Sequence, residues 1–263
     1  MDLQLEGNAG IITASSSGLG KSSATELARE GVNVIINGRN EDKLADAADE
    51  IRNHSDSEVV PVQGDIKKRE VTENIVETAI DKFGRLDHLV TSAGGPPSGK
   101  TLETTDKDWH ESFNLLVMSV FRLVKKAAPY ILKDGGGTIV NITSISVKEA
   151  LDSLVLSNSI RMSVIGLAKT LSRELAPKVR VNSVLPGPHR TPRIDGLIDQ
   201  ALEREEFDSR SQALEKWSED IPLNRIGDPA KLGRLVAFLS SPQSGFINGS
   251  AITIDGGSSR SNL

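Results

Sequence analysis

Short apolar runs alternate with longer amphipathic stretches along the whole chain. Runs rich in β-branched residues occupy positions 9–13, 32–37, 58–62, 86–91, 137–143, 179–184 and 251–254. Their near-continuous hydrophobicity predicts strands covered on both faces. Between them, residues 19–30, 41–53, 68–82, 106–132, 157–176 and 228–240 repeat apolar positions at helical spacing. In the first of these, Leu19, Ala24, Leu27 and Ala28 share one face. Strand alternating with helix predicts an α/β fold, a parallel sheet with right-handed crossovers. Residues 190–227 break the alternation. They carry Pro192, an acidic amphipathic stretch from Ile194 to Trp217, and Pro222. An insertion at this place in an α/β chain often covers a ligand, so a substrate lid is expected over 190–227.

Composition narrows the chemistry. The 263 residues fit one large α/β domain, and the chain contains no Cys. Disulfides, thiolate zinc sites and thiol nucleophiles are therefore excluded. The net charge of -5 argues against a nucleic-acid partner. No apolar run approaches the roughly 20 residues a membrane span needs. The start, Met1 to Glu6, carries acids and no basic region, so no signal peptide is expected and the protein is read as cytoplasmic. His54, His88 and His110 fall by pattern on helix ends or outer faces. With no spaced His/acid cluster, no metal is expected.

The first strand runs through Thr13-Ala14-Ser15-Ser16-Ser17-Gly18-Leu19-Gly20 into a helix. A helix start presents unpaired N–H groups and a positive dipole end, which suit a pyrophosphate, and Gly18 and Gly20 permit close backbone approach. Such a loop is often only a turn, but its place as the first strand-to-helix connection favours the anion site. The second strand ends Ile36-Asn37-Gly38-Arg39-Asn40, with no acid until Glu41. An acid there would serve a ribose 2′-OH. Arg39 suits a 2′-phosphate instead, so NADP is expected over NAD.

From Gly7 to about Gly257 these residues resemble the short-chain dehydrogenases/reductases, close to the β-ketoacyl-acyl-carrier-protein reductases. Thr13 to Gly20 is similar to that family's T-G-x3-G-x-G, and Gly64-Asp65-Ile66 to its adenine-side strand end. Thr91-Ser92-Ala93-Gly94 stands where N-N-A-G is usual. Asn114 falls at the catalytic Asn, and Asn141-Ile142-Thr143-Ser144 at the strand carrying the catalytic Ser. Asn182 to Gly187, then Thr191, is similar to the nicotinamide loop, and Ile254-Asp255-Gly256-Gly257 to the last strand. The resemblance implies a single-domain Rossmann-type doubly wound sheet of order 3-2-1-4-5-6-7. It implies NADP contacts at Thr13, Ser15, Ser17, Gly18, Leu19, Gly20, Arg39, Asp65, Ile66, Ala93, Gly94, Pro186, Gly187 and Thr191. It also implies a homo-oligomer, a tetramer or dimer, packed through the helices 106–132 and 157–176 and the last strand.

The departures carry as much information. The family's acid is a Tyr four residues before a Lys, about 13 residues after the Ser. Counting from Ser144 reaches Ser157 and Arg161. The single Tyr of the chain, Tyr130, lies too far away to fill that place by any small register shift. A Ser hydroxyl is a far weaker acid than a phenol, and an Arg stays charged where a Lys would exchange its proton. Arg161 can still hold a ribose and stabilise developing negative charge. Ala14 replaces a Gly of the turn, Thr91 an Asn. Lys148 and Glu149 either reach the site or are solvated. His189, after Pro186-Gly187-Pro188, is a candidate substitute acid.

Two functions follow. The first is an NADP-dependent oxidoreductase passing hydride between nicotinamide and a small carbonyl or alcohol, with Ser144, Ser157, Arg161, Asn114 and His189 as candidate catalytic residues. The alternative is a non-catalytic nucleotide-binding sensor or partner protein on the same fold. Six acids, Asp195, Asp199, Glu203, Glu205, Glu206 and Asp208, would repel an anionic carrier substrate if they faced the entrance.

Overall fold

Each predicted apolar run forms a strand, within one or two residues of its expected bounds. The strands are β1 (Ala9–Ile12), β2 (Asn33–Gly38), β3 (Val59–Gln63), β4 (His88–Thr91), β5 (Gly137–Ile142), β6 (Val179–Pro186) and β7 (Ala251–Ile254). The structure, a computed structural model, describes residues 1–204 and 206–262, apart from the side chains of Arg193, Leu197 and Gln200. Glu205, one of the six acids above, and Leu263 lie outside the described residues.

The strands form one parallel sheet of seven in the order β3-β2-β1-β4-β5-β6-β7, as expected. Successive residues of a strand face opposite sides, so each strand divides its apolar residues between two cores. Ile11, Leu89 and Ile139 face one layer, with α3 (Arg69–Phe83), α5 (Ser119–Lys133) and α6 (Val155–Glu174). Ile12, Val90 and Val140 face the other, with α1 (Gly18–Arg29), α2 (Glu41–Arg52) and α9 (Pro229–Ser240). This explains why the runs are apolar throughout instead of alternating. β1 pairs with β2 on one side and β4 on the other. The winding reverses there, and a crevice opens beyond the strand ends.

Two expectations change. The helix expected over 106–132 is not continuous: α4 (Asp106–Phe113) and α5 are joined by a π-helical turn, Asn114–Met118. That turn accommodates one extra residue. His88 is not on an outer face. It is 3% exposed on β4, with Nε2 accepting from the Asn8 amide at 2.9 Å and Nδ1 donating to Thr138 Oγ1 at 2.9 Å. The amide nitrogen can only donate, which assigns that tautomer. The acidic stretch is two helices, α7 (Pro192–Glu203) and α8 (Arg210–Glu219). Arg210 bonds to both Asp195 and Asp199 and ties these helices together. The ends of the insertion are stitched by Arg190 N–H to Gly227 O at 2.8 Å and Gly227 N–H to Pro188 O at 2.9 Å.

Candidate active site

A cleft of about 780 Å³ follows the carboxyl ends of the strands. Its first wall is the turn after β1. Ser17 precedes α1 without a side-chain cap, so the first N–H groups of the helix stay available to a ligand. Ser17, Gly18, Leu19 and Gly20 all line the cleft. A Cβ on Gly20 would lie 2.5 Å from the Ala14 carbonyl oxygen, which explains the glycine. Ala14 itself sits at φ 47°, a left-handed conformation that costs a non-glycine residue roughly 1–2 kcal/mol.

Thr13 and Ser15 shape this turn from behind and do not line the cleft. The Thr13 hydroxyl donates to Ser92 O at 2.8 Å and accepts from Ser92 N–H at 2.9 Å. The Ser15 hydroxyl donates to Ile12 O at 2.7 Å and accepts from Asn37 N–H at 2.9 Å. Asn37 is buried as well, its amide donating to Val62 O at 2.9 Å and Gly64 O at 3.2 Å. Of the two polar groups at the end of β2, only Arg39 is exposed, on the cleft rim. Asp65 and Ile66 follow β3 and line the same end. Asp65 Oδ1 accepts from Lys67 N–H at 2.9 Å. Ala93 and Gly94 follow β4. Thr91 is buried and donates to Asn141 Oδ1 at 2.7 Å, a structural role.

The other end of the cleft holds Ser144, Ser157 and Arg161 together. Ser144 lies two residues beyond β5 and its Oγ accepts from Ser146 N–H at 3.1 Å, which leaves its own O–H to donate elsewhere. Ser157, 5% exposed on α6, lies 3.0 Å from the Ser146 hydroxyl. Sequence reasoning missed Ser146, because nothing in its spacing marks it. Arg161, one turn further on and 7% exposed, donates from Nη1 to Thr143 O at 3.2 Å. Tyr130 packs on α5 against the core and does not line the cleft.

Pro186, Gly187, His189 and Thr191 close the cleft beyond β6. His189 is 4% exposed, and its Nδ1 lies 2.9 Å from Gly187 O. A carbonyl only accepts, so Nδ1 carries the proton. Burial pushes the His189 pKa down, against smaller opposite pulls from the Gly187 carbonyl, Asp228 and Asp255. Glu149 lines the cleft, with one oxygen accepting from Arg260 N–H at 2.8 Å, whereas Lys148 does not line it. Asn114 does not line it either: its amide donates to Lys67 O at 3.3 Å.

Residues 13–259 match the family described as Enoyl-(Acyl carrier protein) reductase. The chain is 32% identical to the 3-oxoacyl-[acyl-carrier-protein] reductase of Thermotoga maritima over 97% of its length and 99% of the relative's. It belongs to the short-chain dehydrogenase/reductase family. A diacetyl reductase of Staphylococcus epidermidis, 31% identical over 94% of this chain and 96% of its own, is another such relative. Among solved structures, L-sorbose reductase from Gluconobacter frateurii, complexed with NADPH and L-sorbose, matches with a TM-score of 0.94 and 29% identity. That match covers 99% of this chain and 100% of the other. An actinorhodin polyketide ketoreductase with NADPH matches with a TM-score of 0.90 and 27% identity, over 99% and 100% of the two chains.

Proposed function

We propose that this short-chain dehydrogenase/reductase binds NADP and transfers hydride to or from a small carbonyl or alcohol, with a serine-based site in place of the family's Tyr and Lys. One observation carries the reading: a single cleft joins the open N-terminus of α1 and Arg39 at one end to Ser144, Ser157 and Arg161 at the other. The residues fit the cofactor. The N–H groups at 17–20 suit the pyrophosphate, and Arg39, which makes no ion pair among the described residues, suits the 2′-phosphate. Asp65, Ile66, Ala93 and Gly94 would border the adenine half, and Pro186, Gly187 and Thr191 the nicotinamide half. The cofactor, when bound, supplies or accepts the hydride.

The chain's own groups handle the substrate oxygen. Ser144 would donate its free O–H to that oxygen. Arg161, charged throughout the working range, would stabilise negative charge developing there. Ser157 would pass a proton, its hydroxyl oriented by Ser146. His189 holds its proton toward Gly187 O and resists protonation, which fits a wall of the nicotinamide site better than an acid. The 190–227 segment would act as the lid, hinged at the stitched residues 188–190 and 227. The family resemblance adds a homo-oligomer.

A second reading is favoured by the Ser157–Ser146 pair. The Ser157 hydroxyl, paired with another hydroxyl, is a far weaker acid than the phenol it replaces, and Arg161 keeps its proton where a Lys would exchange one, which suits a cofactor-binding sensor. Fluorescence titration with NADPH and NADH separates the possibilities. NADPH is expected to bind at least tenfold more tightly, and Arg39→Ala to abolish most of that difference, about 1.4 kcal/mol per tenfold. Equal affinities before and after the change would refute the 2′-phosphate role. NADPH oxidation across a panel of ketones supports the enzyme. Binding without turnover, together with ketone reduction appearing only in Ser157→Tyr/Arg161→Lys, establishes the sensor.

A further inference from the structure

Asn114 and Arg122 meet at one backbone carbonyl, that of Lys67. Arg122 Nη1 donates to Lys67 O at 2.7 Å and to Asn114 Oδ1 at 2.9 Å, and Asn114 Nδ2 donates to Lys67 O at 3.3 Å. Three groups thus close a triangle of three hydrogen bonds, two of them from a guanidinium. Neither side chain lines the cleft, but the loop they grip does, through Gly64, Asp65, Ile66 and Lys67. The loop is held at its other end too, where the Asn37 amide donates to Gly64 O at 3.2 Å. Asp65 and Ile66 lie between the two clamps.

The π turn makes this grip possible. Eight α-helical steps from 114 to 122 would leave the two positions about 80° apart around the axis. The extra residue accommodated by Asn114–Met118 makes them equivalent to seven steps, about 20° apart, so both side chains reach the same carbonyl.

We infer that Asn114 and Arg122 are positioning residues for the cofactor. They fix the Gly64–Lys67 loop from behind, so Asn114 serves the adenine half of the cleft and not the reacting atoms. This rests on the cofactor reading above. Loss of the Arg122 bonds leaves the Lys67 carbonyl with only the longer bond from Asn114 and lets Asp65 and Ile66 move before any ligand orders them.

Binding, not turnover, tests it, on the full chain. Affinity is measured for NADPH by fluorescence and by calorimetry for 2′,5′-ADP, which carries the adenine half alone. Arg122→Met and Asn114→Ala are expected to weaken both ligands about tenfold, on the scale of one charge-assisted hydrogen bond. Arg122→Lys is expected to recover most of the loss. Asn114→Asp keeps the acceptor for Arg122 and loses only one donor. It is expected to weaken both ligands about threefold, and it serves if Arg122→Met does not fold. Weakened NADPH with unchanged 2′,5′-ADP would overturn the inference, as would variants that bind both as tightly as the native chain. A native chain that binds neither NADPH nor NADH defeats the cofactor reading and this inference with it.

Discussion

His88 has the clearest residue-scale consequence. Burial pulls its pKa from 6.5 down to about 4, outweighing the opposite pull of Asp87, while Arg180 and Arg85 lower it further. The folded state therefore refuses a proton that the unfolded chain accepts below pH 6.5. His88 costs nothing above that pH, and its penalty grows as pH falls from 6.5 toward 4. Below about 4 both states are protonated and the slope ends, with roughly 3 kcal/mol lost in total at ~1.4 kcal/mol per unit. His189, also depressed by burial, adds in the same direction. Urea unfolding between pH 7 and pH 4 should show this loss, and His88→Gln should flatten the slope. An unchanged slope in the variant would disprove the assignment. The same scale shows why Thr13 and Ser15 do not line the cleft: their hydroxyls are spent on Ser92, Ile12 and Asn37.

At the scale of elements, the contact between α1 and α9 positions the helix start that faces the cleft. Its closeness depends on Gly233. A Cβ there would lie 2.5 Å from Ser22 O, backbone that cannot yield, and 2.8 Å from the Glu26 side chain at Cγ. Gly166, within α6, would meet nothing within 4 Å. The same change thus has opposite signs at the two sites. Gly166→Ala is expected to stabilise by about 0.5–1 kcal/mol through helix propensity. Gly233→Ala is expected to destabilise by about 1–3 kcal/mol through overpacking. Denaturant midpoints with unchanged slopes would measure both, and a stabilised Gly233→Ala would contradict the packing argument. The π turn belongs to this scale as well. Residues 106–132 read as one helix because apolar spacing in a 27-residue window tolerates a single extra residue.

For the whole molecule, the exposed apolar side chains bear on assembly. Phe121 on α5 and Met162 on α6 are 40% and 49% exposed, on the helices that the family resemblance places between subunits. The proposed homo-oligomer predicts that Phe121→Glu with Met162→Glu lowers the mass found by light scattering toward the 28.2 kDa of one chain. A native protein already at that mass would refute the proposal. Among the described residues, no helix is long and apolar enough to cross a membrane.

The sequence by itself determined whatever depends on neighbours along the chain. Strands and helices follow from local periodicity, the turn at 13–20 from its glycines, and the sheet order from motifs in sequence. The absence of a tyrosine four residues before Arg161 follows from the order of residues alone. Tertiary structure decided what depends on residues far apart. The burial of His88 needs Asn8 and Thr138, 80 and 50 positions away. Asn114 turns to Lys67, 47 positions away, although its motif suggested the reacting centre. Ser146 joins the site only because α6 folds back over the end of β5. A hydrogen bond spends a side chain on one partner, and which partner lies within about 3 Å is set by the packing of the sheet and its helices.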